Sequence, residues 1–546
     1  MAPARKLQTP HFGAIPPYAH HAITTHMPGW DNLLRIMEKD VTLLRQITSI
    51  YPRMMLHRDI ESLNAVVVEK FGKEGEDVLL FSAPESVTSC QAFVTSPAHG
   101  LDSVSASDVT TKVLDSNVRL YAIFFPELET SLFMRFWMDA GVGISSRLAE
   151  SALQHLDLLH EVLDPDSESE PKVEVSPADA MLRDRIAGLL ERAPVEPARA
   201  AKVKKDDVYL FQTGMSAIYT VYQYLLSKYK AKTVLFGFAF HSTPHVLEDF
   251  GPGYKFFGLG TADELVLLEA YLEEERKEGR KTQALWAEFP ANPLLVTPDL
   301  AKLKSLADEY GFLLVVDDTL ASFCNVDLLG VADIVVSSLT KSFSGYADVM
   351  AASAVLNPSA KRYEELKELF ERQYVNRFWG GDAEALEVNS RDYLERSMKL
   401  NRNTETLVGY LQNLVGNKKS SVKKVYCTNT SETLKNYKDR MRPPTADFTP
   451  GFGCLFSVKF KKPEAIKAFY NNLNVHQGPH LGAHLTLALP YVKCLYGKDQ
   501  LDWAQQYDLR ETQCRISVGL EDTKELLATF KAALEWADAI EPELWI

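Results

Sequence analysis

Near the middle of the chain one lysine follows a short apolar run. Ala332-Asp333-Ile334-Val335-Val336 leads into Ser337-Ser338-Leu339-Thr340-Lys341-Ser342-Phe343-Ser344-Gly345. A β-branched strand that ends in hydroxyls and one amine puts that amine at the C-terminal edge of a sheet, where open α/β folds bind ligands. An amine in such a place can attack a carbonyl and hold an aldehyde covalently. Lys341 is read as that anchor, with pyridoxal phosphate (PLP) as the aldehyde, although the segment by itself also describes a solvated surface lysine.

That cofactor needs an acid, a phosphate cradle and a carboxylate grip, and the chain offers a candidate for each. Asp317 and Asp318 end the apolar run Phe312 to Val316. A carboxylate there can pair with the protonated ring nitrogen and keep the ring an electron sink; Asp317, nearer the strand, is the better placed. Two adjacent acids also suit Mg²⁺, but neither a G-x-x-x-x-G-K-[ST] loop nor a third carboxylate at suitable spacing accompanies them. Thr213-Gly214-Met215-Ser216-Ala217 opens a helical stretch running to about Tyr229. Its first amides and its glycine suit an anion, and a plain threonine N-cap gives the same pattern. Asn292, in Glu288-Phe289-Pro290-Ala291-Asn292-Pro293, can hydrogen-bond a phenolic oxygen or simply fix a turn. Phe240 can stack on a ring or fill a core. Arg515, which opens Arg515-Ile516-Ser517-Val518, carries the planar fork that grips an α-carboxylate, or else joins a surface ion pair. His476, His480 and His484 recur at four-residue spacing, but Gly478-Pro479 and Gly482 interrupt any helix that would align them, so no metal is expected.

The elements that must position these residues follow from the apolar periods. The chain has 546 residues, 46% of them hydrophobic, which is too much for one ordinary domain and enough for two or three cores. Residues 1 to about 26, rich in Pro, His and Ala, read as an arm, and such arms often cross to a partner subunit. Helical patterns follow between Trp30 and Val68, strand-like runs at Val78–Phe81 and Val118–Phe125, and a helix around Ser146 to Val162, with no catalytic motif in this block. Asp164 to Pro177 is acidic and nearly free of bulky apolar residues, hence a linker. From Asp207, apolar runs at 234–236, 255–257, 284–287, 312–316 and 334–336 alternate with amphipathic stretches such as Asp299 to Tyr310, the pattern of a mainly parallel sheet covered on both faces. After about residue 400 the mixture suits a smaller α+β domain. The expected division is an N-terminal arm and extension (1–200), a large α/β domain (201–400) and a C-terminal α+β domain (401–546).

Composition narrows the function classes. The net charge of -14 and the lack of any basic, aromatic-studded stripe argue against nucleic acid. The six cysteines show no CxxC pair, so neither a zinc site nor a disulfide framework is expected, and a reducing compartment fits best. No apolar run reaches membrane-spanning length and no apolar leader opens the chain, so a cytosolic protein is expected.

In order, Y-x-R (Tyr51, Arg53), T-G-M-S-A (213–217), E-x-P-x-N-P (288–293), V-V-D-x-T (315–319), S-x-T-K (338–341) and R-I-S-V-G-L-E (515–521) resemble the Cys/Met-metabolism class of PLP enzymes. Within it the chain is similar to fungal cystathionine γ-synthases, through its N-terminal P-P-x-x-H-A and Y-P-R segments, the block Gly141 to Glu150, and Gly478-Pro479-x-Leu481-Gly482. The resemblance implies a fold-type I PLP transferase assembled as a homodimer or homotetramer with shared active sites. It implies that Lys341 anchors the cofactor and Asp317 pairs with its ring nitrogen, while Gly214, Met215, Ser338 and Thr340 hold the phosphate. Tyr51 and Arg53 would reach the phosphate from the neighbouring subunit, and Arg515 would bind the substrate carboxylate. The implied reaction is γ-replacement on O-acetyl- or O-succinylhomoserine through a vinylglycine-type intermediate. A γ- or β-lyase and a catalytically silent PLP-binding scaffold are the alternatives. Two positions depart from the family pattern: Phe240 stands where tyrosine is usual, and His480 where serine is usual. Both alter the pocket, and a carbon or amine nucleophile in secondary metabolism is therefore expected in place of cysteine.

Overall fold

The computed structural model describes residues 5–14, 19–47, 54–97, 103–165, 176–196, 199, 201–497 and 500–540. Tyr51 and Arg53, and residues 166–175 of the acidic linker, lie outside them.

The first sheet is antiparallel, built from β1 (Glu76–Phe81), β2 (Thr110–Asp115), β3 (Arg119–Pro126) and β4 (His160–Val162) in the order β1-β3-β2-β4. The unbroken apolar run of β3 has a simple cause, since both of its faces are covered. Leu120, Ala122 and Phe124 pack with Ile60, Leu63 and Val67 of the helix Arg58–Phe71, whereas Tyr121, Ile123 and Phe125 join Phe133 and Phe136 of the helix Thr130–Ala140. The helix expected over 146–162 stops at Leu153, and His160–Val162 pairs with β2 instead.

The second sheet has seven strands: β5 (Val208–Phe211), β6 (Lys232–Phe236), β7 (Tyr254–Phe257), β8 (Thr282–Glu288), β9 (Leu313–Asp317), β10 (Ile334–Ser338) and β11 (Ala352–Leu356). Their order is β5-β11-β10-β9-β8-β6-β7, and only β11 runs antiparallel to its neighbours. This is the mainly parallel sheet the apolar runs predict. Alternate residues of β9 enter different cores, Leu313 and Val315 on one face and Leu314 and Val316 on the other, all fully buried. Truncating one of them, as in Leu314→Ala, would cost about 2–5 kcal/mol.

The third sheet is formed by β12 (Val422–Tyr426), β13 (Leu455–Phe460), β14 (His476–Gln477), β15 (Leu487–Leu489) and β16 (Gln513–Ser517), in the order β12-β13-β16-β15-β14. The helices Tyr393–Gln412 and Thr523–Asp538 contribute Leu407, Leu411, Phe530 and Leu534 to its core.

The described part of the N-terminal arm lies on its own chain rather than crossing away from it. Ile23 N donates to the Ala347 carbonyl (2.8 Å) and Met27 N to the Gln477 carbonyl (2.8 Å), while Gln477 N donates to His26 Nδ1 (3.0 Å). At its start the arm meets the N-terminal block through histidines. Arg58 Nη2 donates to His20 Nδ1 (2.8 Å), so the proton of His20 sits on Nε2 and faces Asp59 at 2.7 Å. His20, His21 and Asp59 are close enough to share a cation, but this hydrogen-bonding already satisfies both nitrogens of His20. Among the described residues no helix is long and apolar enough to cross a membrane.

Candidate active site

Three strand ends meet at the C-terminal edge of the second sheet. Glu288 ends β8 and pairs in register with Asp317, the last residue of β9; Val336 of β10 also pairs with Asp317, and Lys341 follows β10 by one turn. Lys341 is 9% exposed. Burial raises the Asp317 carboxyl above its ordinary range, hydrogen bonds from Thr319 pull it down, and the Lys341 charge pulls it down too, so acid and amine sense each other. The Thr319 amide donates to Asp317 Oδ1 at 2.9 Å. Asp318 is committed elsewhere: the Ser337 hydroxyl donates to its Oδ1, and burial pushes it up to about 7. Of the two adjacent acids, Asp317 is therefore the one that senses the lysine charge.

Beside these strand ends stands the helix Gly214–Tyr229. The N-cap reading of its start holds. The Thr213 hydroxyl accepts from the Ser216 amide (2.9 Å) as an N-cap, which leaves the amides of Gly214 and Met215 as the ones an anion would engage. A Cβ on Gly214 would come within 3.1 Å of Ser338 Cβ and 3.2 Å of its Oγ, so a larger residue would have to push Ser338 aside. Ser338 N donates to Thr319 Oγ1 at 2.8 Å, which ties the cradle to the Asp317 turn. The Thr340 hydroxyl donates to the Ala351 carbonyl (3.1 Å) and accepts from its amide (3.0 Å), a lock that fixes the lysine turn. The N-terminal block buttresses the cradle from outside: Gly141 accepts from the Thr213 hydroxyl (2.9 Å), and Gln212 Nε2 donates to the Gly143 carbonyl (3.0 Å).

The turn after Lys341 is held by Arg396, 4% exposed. Its guanidinium donates to the carbonyls of Ser342 (2.9 Å), Phe343 (3.0 Å) and Asn389 (2.9 Å) and to Asp392 (2.7 Å). Gly482 presses on the same turn from the C-terminal domain. A Cβ there would sit 2.6 Å from Ser342 N and 2.9 Å from Lys341 C, and its φ of +73° is itself one that favours glycine. The loop that carries Gly482 brings in His480, which is buried and pushed far below its ordinary range, first by burial and then by the charges of Lys341 and Arg515. It is thus a neutral imidazole within electrostatic reach of both cations.

Arg515 lies on β16. Its Nη2 donates to the Pro479 carbonyl (2.6 Å) and its Nη1 to Asn292 Oδ1 (3.4 Å), and its guanidinium carbon lies 4.5 Å from the centre of the Tyr491 ring. It is buried among these partners and not a surface ion pair. Phe240 is half-buried, and its amide donates to Glu288 Oε1 at 2.5 Å, while Asn292 N donates to Glu288 Oε2 at 3.1 Å.

The structure thus brings Lys341, Asp317, Gly214, Met215, Ser338, Thr340, Phe240, Asn292, His480 and Arg515 to one region between the second and third sheets. Three contributors were not assigned roles from sequence: Glu288, Arg396 and Tyr491. Glu288 had a signal, as the first residue of the E-x-P-x-N-P motif; Arg396 and Tyr491 had none, because each acts across a tertiary contact. The donor set suits PLP: a buried amine, an acid that senses its charge, and helix-start amides at a glycine whose Cβ would press on Ser338.

Known proteins resemble this chain. Residues 191–535 match the family described as Cys/Met metabolism PLP-dependent enzyme, and residues 59–145 match the one described as fungal trans-sulfuration enzyme, N-terminal domain. A cystathionine gamma-synthase-like enzyme of Amanita muscaria is 32% identical over 95% of each chain. An alanine racemase of Aspergillus violaceofuscus is 34% identical, also over 95% of each. Among solved structures, the cystathionine gamma synthase of Xanthomonas oryzae pv. oryzae in complex with aminoacrylate and cysteine superposes with a TM-score of 0.55 at 20% identity, over 69% of this chain and 90% of that one. It shares the fold.

Proposed function

The chain belongs to the Cys/Met-metabolism family of PLP-dependent enzymes and is cystathionine γ-synthase-like within it, and we propose that it catalyses γ-replacement on an O-acylhomoserine. The observation that carries this reading is the placement of a buried lysine one turn after β10, beside the strand that ends in Asp317, together with a buried arginine on β16 and a buried imidazole that senses the charge of both cations. Bound PLP supplies an electron sink for negative charge developing at the amino acid's Cα. Asp317 would pair with the ring nitrogen, whose positive charge would offset the burial that raises the carboxyl. The amides of Gly214 and Met215, with Ser338 and Thr340, would hold the phosphate, Thr340 also fixing the lysine turn through Ala351, and Phe240 would cover a ring face. Asn292 serves the phenolic oxygen and steadies Arg515. Arg515 binds the α-carboxylate through its planar fork. Lys341 would take the proton from Cα and then one from Cβ, the γ-acyloxy group would leave as its carboxylate, the nucleophile would add at Cγ, and protons would return to Cβ and Cα. His480, being neutral, offers hydrogen bonds near the leaving group without adding a second cation beside Arg515.

Phe240 and His480 remove two hydroxyls from the expected pocket, which supports an acceptor other than cysteine, a carbon or amine nucleophile of secondary metabolism. A homodimer or homotetramer in which Tyr51 and Arg53 reach a neighbouring subunit's phosphate site is part of the same reading, supported by the family resemblance. The relative named as an alanine racemase favours a second reading, Cα racemisation, which begins with the same proton. Incubation with O-acetyl- and O-succinylhomoserine plus a panel of thiol, amine and carbon nucleophiles, and in parallel with L-alanine, with mass and chiral detection, separates the two. A substitution product is expected. Accumulation of only a keto acid, or of only D-alanine from L-alanine, would overturn γ-replacement.

A further inference from the structure

Tyr491 opens the short helix Tyr491–Leu495 straight after Pro490, and its side chain is 2% exposed. It meets the arginine site at two points. The face of its ring lies under the Arg515 guanidinium at 4.5 Å, and its hydroxyl accepts from Asn292 Nδ2 at 3.2 Å. Asn292 in turn accepts from Arg515 Nη1 at 3.4 Å, so Tyr491, Asn292 and Arg515 close a ring, with the Pro479 carbonyl holding the other Nη at 2.6 Å. A flexible arginine is thereby limited to one plane: the phenyl face sets its height and the two acceptors set its rotation.

We propose that Tyr491 is a positioning residue that aims Arg515 at the substrate's α-carboxylate, and so sets the preference for amino acids over amines that lack that group. The proposal rests on the reading of Arg515 given above. The ring stays neutral, since burial pushes the Tyr491 hydroxyl up to about 12, and its electron-rich face remains available to the cation. A merely space-filling tyrosine would support every ligand of the pocket equally. A residue that acts through Arg515 supports only those that carry a carboxylate.

The test uses the PLP-loaded enzyme and follows the cofactor absorbance during titration with L-2-aminobutyrate, which has no γ leaving group, and with n-propylamine, the same molecule without its carboxylate. Tyr491→Leu should weaken L-2-aminobutyrate about tenfold and leave n-propylamine unchanged, while Tyr491→Phe, which keeps the face and loses the Asn292 contact, should stay within about threefold of the parent. Equal weakening of both ligands, or of neither, would overturn the proposal. Arg515→Leu is the control on the underlying reading: if it spares L-2-aminobutyrate, Arg515 is not the carboxylate site, whatever Tyr491 does. Should Tyr491→Leu not fold, Tyr491→Met carries the same comparison.

Discussion

Glu288 joins two turns with one carboxylate, its Oε1 accepting from Phe240 N and its Oε2 from Asn292 N, so the residues proposed to cover and hydrogen-bond the cofactor are set by a single side chain. In Glu288→Gln one acceptor becomes a donor that faces another N–H. PLP affinity should fall about tenfold, measured by absorbance after dialysis, as expected for one lost buried hydrogen bond. The same residue carries a pH signature. Burial, and then the neighbouring Asp317, push Glu288 from 4.5 up to about 8. A carboxyl raised on folding contributes its full stability below the unfolded value and loses it as pH climbs through the folded one. In the cofactor-free protein, the melting temperature of the parent relative to Glu288→Gln should therefore decline from about pH 5 to about pH 8; a constant or rising difference would contradict it.

At the scale of elements, the arm over residues 19–30 works as a strap on the edge of the third sheet and on the turn after Lys341. His26 accepts the Gln477 amide with Nδ1, and His26 and His476 lie with ring centres 5.4 Å apart. Both are lowered to about 4, by burial foremost; for His26 the next causes are His476 and His11, and for His476 it is His484. A depressed histidine stabilises the docked arm above its unfolded value of 6.5 and loses that contribution as pH falls through about 4. Amide exchange over residues 22–30 should accelerate across that window more than exchange in β9, and equal protection throughout would refute the strap. This element was only half legible in the sequence. Its lack of period marked an arm, but its docking combines backbone hydrogen bonds with single contacts such as that of His26 to Gln477, which lie far apart in sequence and leave no local pattern. β5 and β11 were missed for a related reason: Val208–Phe211 is four residues long, and Ala-Ser-Ala-Val-Leu is poor in β-branched residues. The long buried strands β8, β9 and β10 were plain, because burial on both faces writes an unbroken apolar run.

For the whole molecule, the three sheets meet around one turn. The second supplies Lys341 and Asp317, the third supplies Arg515 and the loop of Gly482, and the block that carries the first braces the start of the helix Gly214–Tyr229 through Gly141 and Gly143. The lysine and its acid could be read from sequence because each ends an apolar strand, and polar residues in that position are conspicuous. The buttressing by the N-terminal block could not, since it rests on two backbone carbonyls that no motif records. Tyr491 and Arg396 were hidden likewise, being distant in sequence from Arg515 and Lys341. The central claim is that Lys341 holds the cofactor covalently. Borohydride reduction of the purified protein, proteolysis and mass mapping should place a phosphopyridoxyl group on Lys341, and Lys341→Ala should lose the label together with the visible absorbance. An unlabelled Lys341, or an alanine variant that keeps the same absorbance and activity, would contradict the account.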